Sequence, residues 1–165
     1  MVKRKIYIRW ALVFIWMAVI FYFSSQEGAI SHQKSFSIAL FIERIIEALA
    51  EKDIITAVNR KGFEFLIRKI AHVTEYFILC MLFYRAFFET NKSSKKSAIL
   101  SGIFSVLYAV SDEFHQVFVF GRGPSPVDVM IDSIGIFGYL GIRSMKGKLN
   151  KTMKMNCDEN KGEGL

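Results

Sequence analysis

Four apolar stretches punctuate the chain, and each is bordered or interrupted by ionisable residues. Ile6 to Phe23 is apolar apart from Arg9. As a helix rising about 1.5 Å per residue, it nearly crosses a hydrocarbon core of about 30 Å. Ile70 to Phe88 is the second stretch and carries His72, Glu75 and Arg85. Ala98 to Val110 is short and must continue through Asp112 and His115 toward Phe120 to cross. Val127 to Ile142 is the fourth, with Asp128 and Asp132 at its start and Gly135, Gly138 and Gly141 following at three-residue spacing. Small residues at such intervals let helices approach closely in lipid. The third and fourth stretches pair as a helical hairpin across Gly121-Arg122-Gly123-Pro124.

The segment from Ser24 to Lys69 reads differently. Ile38, Phe41, Ile42, Ile45, Ile46 and Leu49 recur at helical spacing, with Glu43, Arg44, Glu47 and Glu51 on the other face. This predicts one amphipathic helix near 36–51, with Ser35 or Ser37 capping its start, and another near 53–67. Such helices lie in the interface or over the bundle, and a packing role is the expectation for them.

Composition agrees with a membrane protein. Hydrophobic residues make up 52% of the chain and Phe numbers 16, concentrated in runs. The net charge of +7 is uneven. Lys3, Arg4 and Lys5 open the chain, Lys92, Lys95 and Lys96 fill a loop, and basic residues dominate from Arg143 to Lys161. Positive charge flanks apolar runs without forming a basic face, which argues against nucleic-acid binding. The 24–64 segment has slightly more acids than bases, and the 111–128 connection has one Arg. The positive-inside rule then places both termini in the cytoplasm. The expected fold is an all-α membrane protein of four transmembrane helices, with an outer amphipathic helical segment between spans 1 and 2. The membrane domain covers 6–142 and a basic polar cytoplasmic tail covers 143–165. The first span ends in Phe21-Tyr22-Phe23 without a small-x-small cleavage site, so it is expected to be retained rather than removed as a signal peptide. Cys80 in a span and Cys157 in the tail fall in different compartments and cannot pair.

Ionisable groups in spans are costly, so a cluster of them needs a reason. Lys69, His72, Glu75 and Tyr76 follow helical spacings in the second span. Ser101, Ser105, Tyr108, Asp112 and His115 do so in the third, and Asp128, Asp132, Gly135 and Tyr139 in the fourth. The topology brings all three polar faces to one outer level, where they can close around a common pocket. Interhelical polar pairing alone is the alternative. Neighbouring carboxylates with a histidine suit proton transfer. Arg122, set between glycines, suits an anion such as phosphate or carboxylate, or else forms a structural bridge to Asp128. His72, Glu75, Asp112, Glu113 and His115 are good metal-ligand types, but HxxE spacing is weak and no HExxH is present, so neither metal nor other cofactor is expected. No GxSxG, Walker A or Rossmann glycine pattern occurs.

Taken together, these blocks resemble the VanZ-like family of small bacterial membrane proteins. The matching residues are Phe23-Ser24-Ser25-Gln26, Arg68-Lys69-Ile70-Ala71-His72-Val73-Thr74-Glu75-Tyr76, Ser111-Asp112-Glu113-Phe114-His115-Gln116, Gly121-Arg122, and Asp128 to Gly135. The combination is specific, whereas any single block is not. The chain departs from the pattern at Phe120, where the family usually has Pro, and at Asp132, where many members have Asn. The resemblance implies a multi-span protein of the bacterial cytoplasmic membrane, linked through its namesake to resistance to the glycopeptide teicoplanin. It implies no settled reaction.

Two functional classes follow. One is an enzyme acting on an anionic membrane lipid or lipid-linked envelope precursor. Arg122 and Lys69 would hold the head group, Glu75, Asp112 and Glu113 would do acid–base work, and His72 would orient or share the proton. Tyr76, His115, Gln116, Asp128 and Asp132 would complete the substrate site. The other is a non-catalytic binder that alters the envelope or antibiotic access. The sequence leaves oligomeric state open.

Overall fold

The computed structural model describes residues 2–50, 57–123 and 125–162. These form five helices, with no strand among the described residues: α1 Val2–Ser24, α2 Gly28–Ala50, α3 Ala57–Asn91, α4 Ser94–Gln116 and α5 Pro126–Gly162. α3 is the centre of the bundle and packs on all four other helices.

The distribution of side chains is inverted relative to a soluble bundle. In α4 the buried residues are Ser97, Ser101, Ser105, Ala109, Asp112, Glu113 and Gln116. Ile99, Ile103, Phe104, Leu107, Val110 and Phe114 point outward. Water would penalise that arrangement, whereas an apolar surrounding favours it. α1 and α4 are long and apolar enough to cross a membrane. Only 11% of the α1 window and 39% of the α4 window is buried, unlike the core helix of a soluble protein. The other two expected spans, in α3 and α5, do not meet the same criterion.

Aromatic and small residues lock the helices together. Trp16 Nε1 donates to the Glu75 carbonyl at 3.0 Å, and Tyr108 Oη donates to the Met17 carbonyl at 2.6 Å. These bonds tie α1 to both α3 and α4. Tyr76, Leu79, Cys80, Phe83, Val13, Ile20 and Ile136 form the apolar core between them. At one end of the bundle, Trp10 Nε1 donates to Thr90 and Tyr84 Oη pairs with Ser94. Arg143 sits over the Tyr84 ring at the same end. The Lys-rich start of α1, the 89–97 turn and the basic continuation of α5 therefore share one end.

Several local expectations change. α2 starts at Gly28 rather than near 36, so Ser35 and Ser37 lie inside it. Their hydroxyls donate to the carbonyls of Ser31 and Gln33, four residues back, instead of capping a start. The separate helix expected near 53–67 is the beginning of α3 from Ala57 onward, with no break before the second apolar stretch. Its first residues, 53–56, lie outside the described residues. α4 ends at Gln116 and a turn carries the chain toward Phe120. α5 runs unbroken past Ile142 to Gly162.

Candidate functional site

The far end of the bundle is built from turns that only glycine permits. A Cβ on Gly28 would meet the Gly121 carbonyl oxygen at 2.0 Å, and Gly121 itself has φ +73°. Gly28 N donates to the Phe120 carbonyl at 3.1 Å. The start of α2 and the α4–α5 connection are thus in backbone contact. Phe120 contributes only its carbonyl to this contact, and its ring is exposed.

Arg122 follows at once. Its guanidinium donates from Nε to the Gln26 carbonyl and from Nη2 to the Phe23 carbonyl, both at 3.2 Å. One of these carbonyls is in the last turn of α1 and the other in the α1–α2 connection just after it. Burial first, and then the nearby Arg68, lower the pKa of Arg122, which stays charged at neutral pH. The expected alternative, a bridge from Arg122 to Asp128, is not formed. Asp128 Oδ1 is instead 2.5 Å from Lys69 Nζ.

Below this turn lies a cavity of about 240 Å³. His72, Glu75, Asp112 and Arg122 line it together with Lys34, Arg68, Ser24, Gln26, Ser31 and Ser35. Ile20, Phe23, Ile38, Ile67 and Ala71 supply its apolar side. His72 Nδ1 is 3.8 Å from Glu75 Oε2 and 3.6 Å from Asp132 Oδ1. Both distances exceed a hydrogen bond, so the imidazole sits between two carboxylates without being fixed to either. Gln116 Nε2 donates to Asp112 Oδ2 at 3.2 Å, while Asp112 Oδ1 is buried without a hydrogen-bond partner.

A second, smaller cavity of about 130 Å³ adjoins the first across Ser31, Arg68, His72 and Arg122. Its remaining lining includes Gly28, His32, Lys69, Gln116, Gly123 and Asp128.

Four of the expected site residues take other places. Glu113 accepts from the Ser125 backbone N–H at 2.5 Å and so holds the α4–α5 connection. His115 lies with its ring against Phe21, centroids 4.5 Å apart, and lines neither cavity. Tyr76 is wholly buried with its hydroxyl unpartnered, and it too lines neither. Asp132 reaches the site only through His72. Among the described residues, no three His, Cys, Asp or Glu side chains converge as a metal site.

The contribution of α2 was not anticipated. Lys34 donates to Gln26 Oε1 at 2.8 Å, and Arg68 Nε donates to Ser35 at 3.4 Å. Arg68 Nη2 also donates to Glu64 at 3.0 Å and lies 2.7 Å from His32 Nδ1. α2 is therefore a wall of the site as well as a packing element. The only sequence signal is the i, i+3, i+4 run of Ser31, Lys34 and Ser35.

Comparison with curated proteins and with solved structures returns no match. The model of the VanZ/LLP1 family matches residues 9–146, which include every residue of both cavities. With that match spanning most of its length, the chain belongs to the VanZ/LLP1 family.

Proposed function

We propose that the larger cavity holds the head of an anionic amphiphile, a phospholipid or lipid-linked envelope precursor, and carries out proton transfer on it. The observation that carries this reading is the composition of one cavity: Lys34, Arg68 and Arg122 line it with His72, Glu75 and Asp112 and with the apolar Ile20, Phe23, Ile38 and Ile67. Cations suit the charged head, and the apolar side suits the first carbons of a chain. With Nδ1 turned toward Glu75 and Asp132, a proton on that nitrogen leaves Nε2 as an acceptor. Glu75 lines the cavity and is the group best placed to give or take a proton from a bound head.

In this reading the protein spans the membrane four times with both termini cytoplasmic and the cavity near the outer surface. The shared end of the Lys-rich segments and the outward-facing apolar residues of α1 and α4 support it. Lipid profiling of cells with and without the protein identifies the substrate class. Purified protein incubated with that lipid then yields product for an enzyme. Stoichiometric capture without product defeats the catalytic part of the reading and leaves the binder.

A further inference from the structure

The two cavities meet at a common wall but differ in character. The larger has a broad apolar side, whereas the smaller is lined mainly by polar and charged groups or glycine. A ligand anchored at the common wall has its chain on one side and further polar atoms on the other. Resting on the proposed amphiphile reading, we infer that the ligand is a phosphodiester whose phosphate sits at Arg122 and whose second substituent is a hydrophilic, hydroxyl-bearing group occupying the smaller cavity.

Charge balance points to the diester. Arg68 is paired with Glu64, and Lys69 with Asp128. Lys34 is exposed at the rim. Arg122 is half-buried, and its side chain has only neutral hydrogen-bond partners, two carbonyls, among the described residues. One such guanidinium matches a single negative charge. A phosphomonoester has a second pKa of about 6 and carries close to two charges at neutral pH. Glu75 and Asp112 line the same cavity and would repel the extra charge more strongly than they repel a diester.

Polarity and room point to the hydroxyl-bearing group. At about 30 Å³ per water in the liquid, the smaller cavity of about 130 Å³ has room for a short polyol. His32, Gln116 and Asp128 in its lining offer both donors and acceptors. An apolar substituent would strip these groups of water without replacing their hydrogen bonds.

The test uses the full chain in detergent and three short-chain probes: dihexanoyl phosphatidylglycerol, dihexanoyl phosphatidylpropanol and dihexanoyl phosphatidate. The glycerol diester should bind roughly tenfold more tightly than either other probe. Position 123 lines the smaller cavity, and a Cβ there meets nothing within 4 Å. Gly123→Leu should bring the glycerol diester to the level of the propanol diester, while Gly123→Ser keeps the preference. Equal binding of all three probes, or tightest binding of phosphatidate, overturns the inference and leaves the amphiphile reading standing. Equal loss of all three probes in Gly123→Leu also overturns it. Failure of every probe to bind wild type overturns the amphiphile reading and this inference with it.

Discussion

A Cβ on Gly135 would lie 2.1 Å from the carbonyl oxygen of Val73, so α3 and α5 touch backbone to backbone at that level. His72 precedes Val73, and Asp132 lies just under one turn before Gly135. The close crossing is what brings His72 Nδ1 to 3.6 Å from Asp132 Oδ1. Gly135→Val should push the helices apart and cost about 1–3 kcal/mol, as overpacked sites do. Thermal unfolding in detergent should show the loss. Gly141→Val, where a Cβ meets nothing within 4 Å, should unfold like wild type. Equal behaviour of the two variants would remove the crossing as the feature that sets this geometry.

Arg122 serves two ends at once. Its fork holds the carbonyls of Phe23 and Gln26, at the end of α1 and just beyond it, and places the cation on the wall shared by both cavities. Lysine keeps the charge but cannot reproduce that fork. Arg122→Lys should therefore weaken ligand binding and also lower stability, by about 1 kcal/mol for the hydrogen bond lost. Exchanging charges between Arg122 and Asp128 should not restore either property, because Asp128 pairs with Lys69. The exchange Lys69→Asp with Asp128→Lys should instead recover the membrane abundance that each single change reduces. Recovery by the Arg122 exchange, measured as binding, would show that the two residues act as a pair.

How much of this was legible in the sequence depends on how local each feature is. The buried face of α4 could be read directly, because Ser101, Ser105 and Asp112 recur at i, i+4 and i+11 within one helix. The nearness of His72 to Asp132 followed from placing the starts of two spans at one level. His115 was misplaced because three residues advance a helix by about 300°, leaving its side chain about 60° from Asp112 and against Phe21. The part played by Lys34 and Arg68 was hidden for a different reason. They lie on α2 and α3, and the direct contact between those helices, such as Arg68 with Ser35, joins residues 33 positions apart that no local pattern relates. An amphipathic pattern shows that α2 has a polar face without showing what that face covers. The start of α2 was missed because Gly28 reads as a helix breaker until its close approach to another backbone is known.

Glu75 and Asp112 separate function from packing. Glu75→Gln and Asp112→Asn keep size and remove the ability to ionise. Each should leave membrane abundance near wild type. If Glu75 is the acid–base group, turnover in Glu75→Gln should fall by about 10²–10⁴-fold with ligand binding retained. Abundance measured by immunoblot and turnover measured on the purified lipid give the two readings independently. Loss of abundance in step with loss of turnover would assign both residues to helix packing.

Sidedness is the remaining prediction, and the bundle makes it specific. Residues 30 and 123 lie near the Gly28–Gly121 contact, whereas Ser94 lies at the opposite end beside Tyr84. On a background with Cys80→Ala and Cys157→Ser, a single cysteine at 30 or 123 should react with an impermeant thiol reagent on intact cells. A cysteine at 94 or 155 should react only after the cells are opened. The expected sidedness comes from the positive-inside rule, since Lys92, Lys95 and Lys96 flank position 94. Labelling of 94 but not of 123 from outside would invert the topology and turn the cavity toward the cytoplasm. The ligand would then have to come from the inner leaflet, and an envelope precursor already displayed outside would no longer be a candidate.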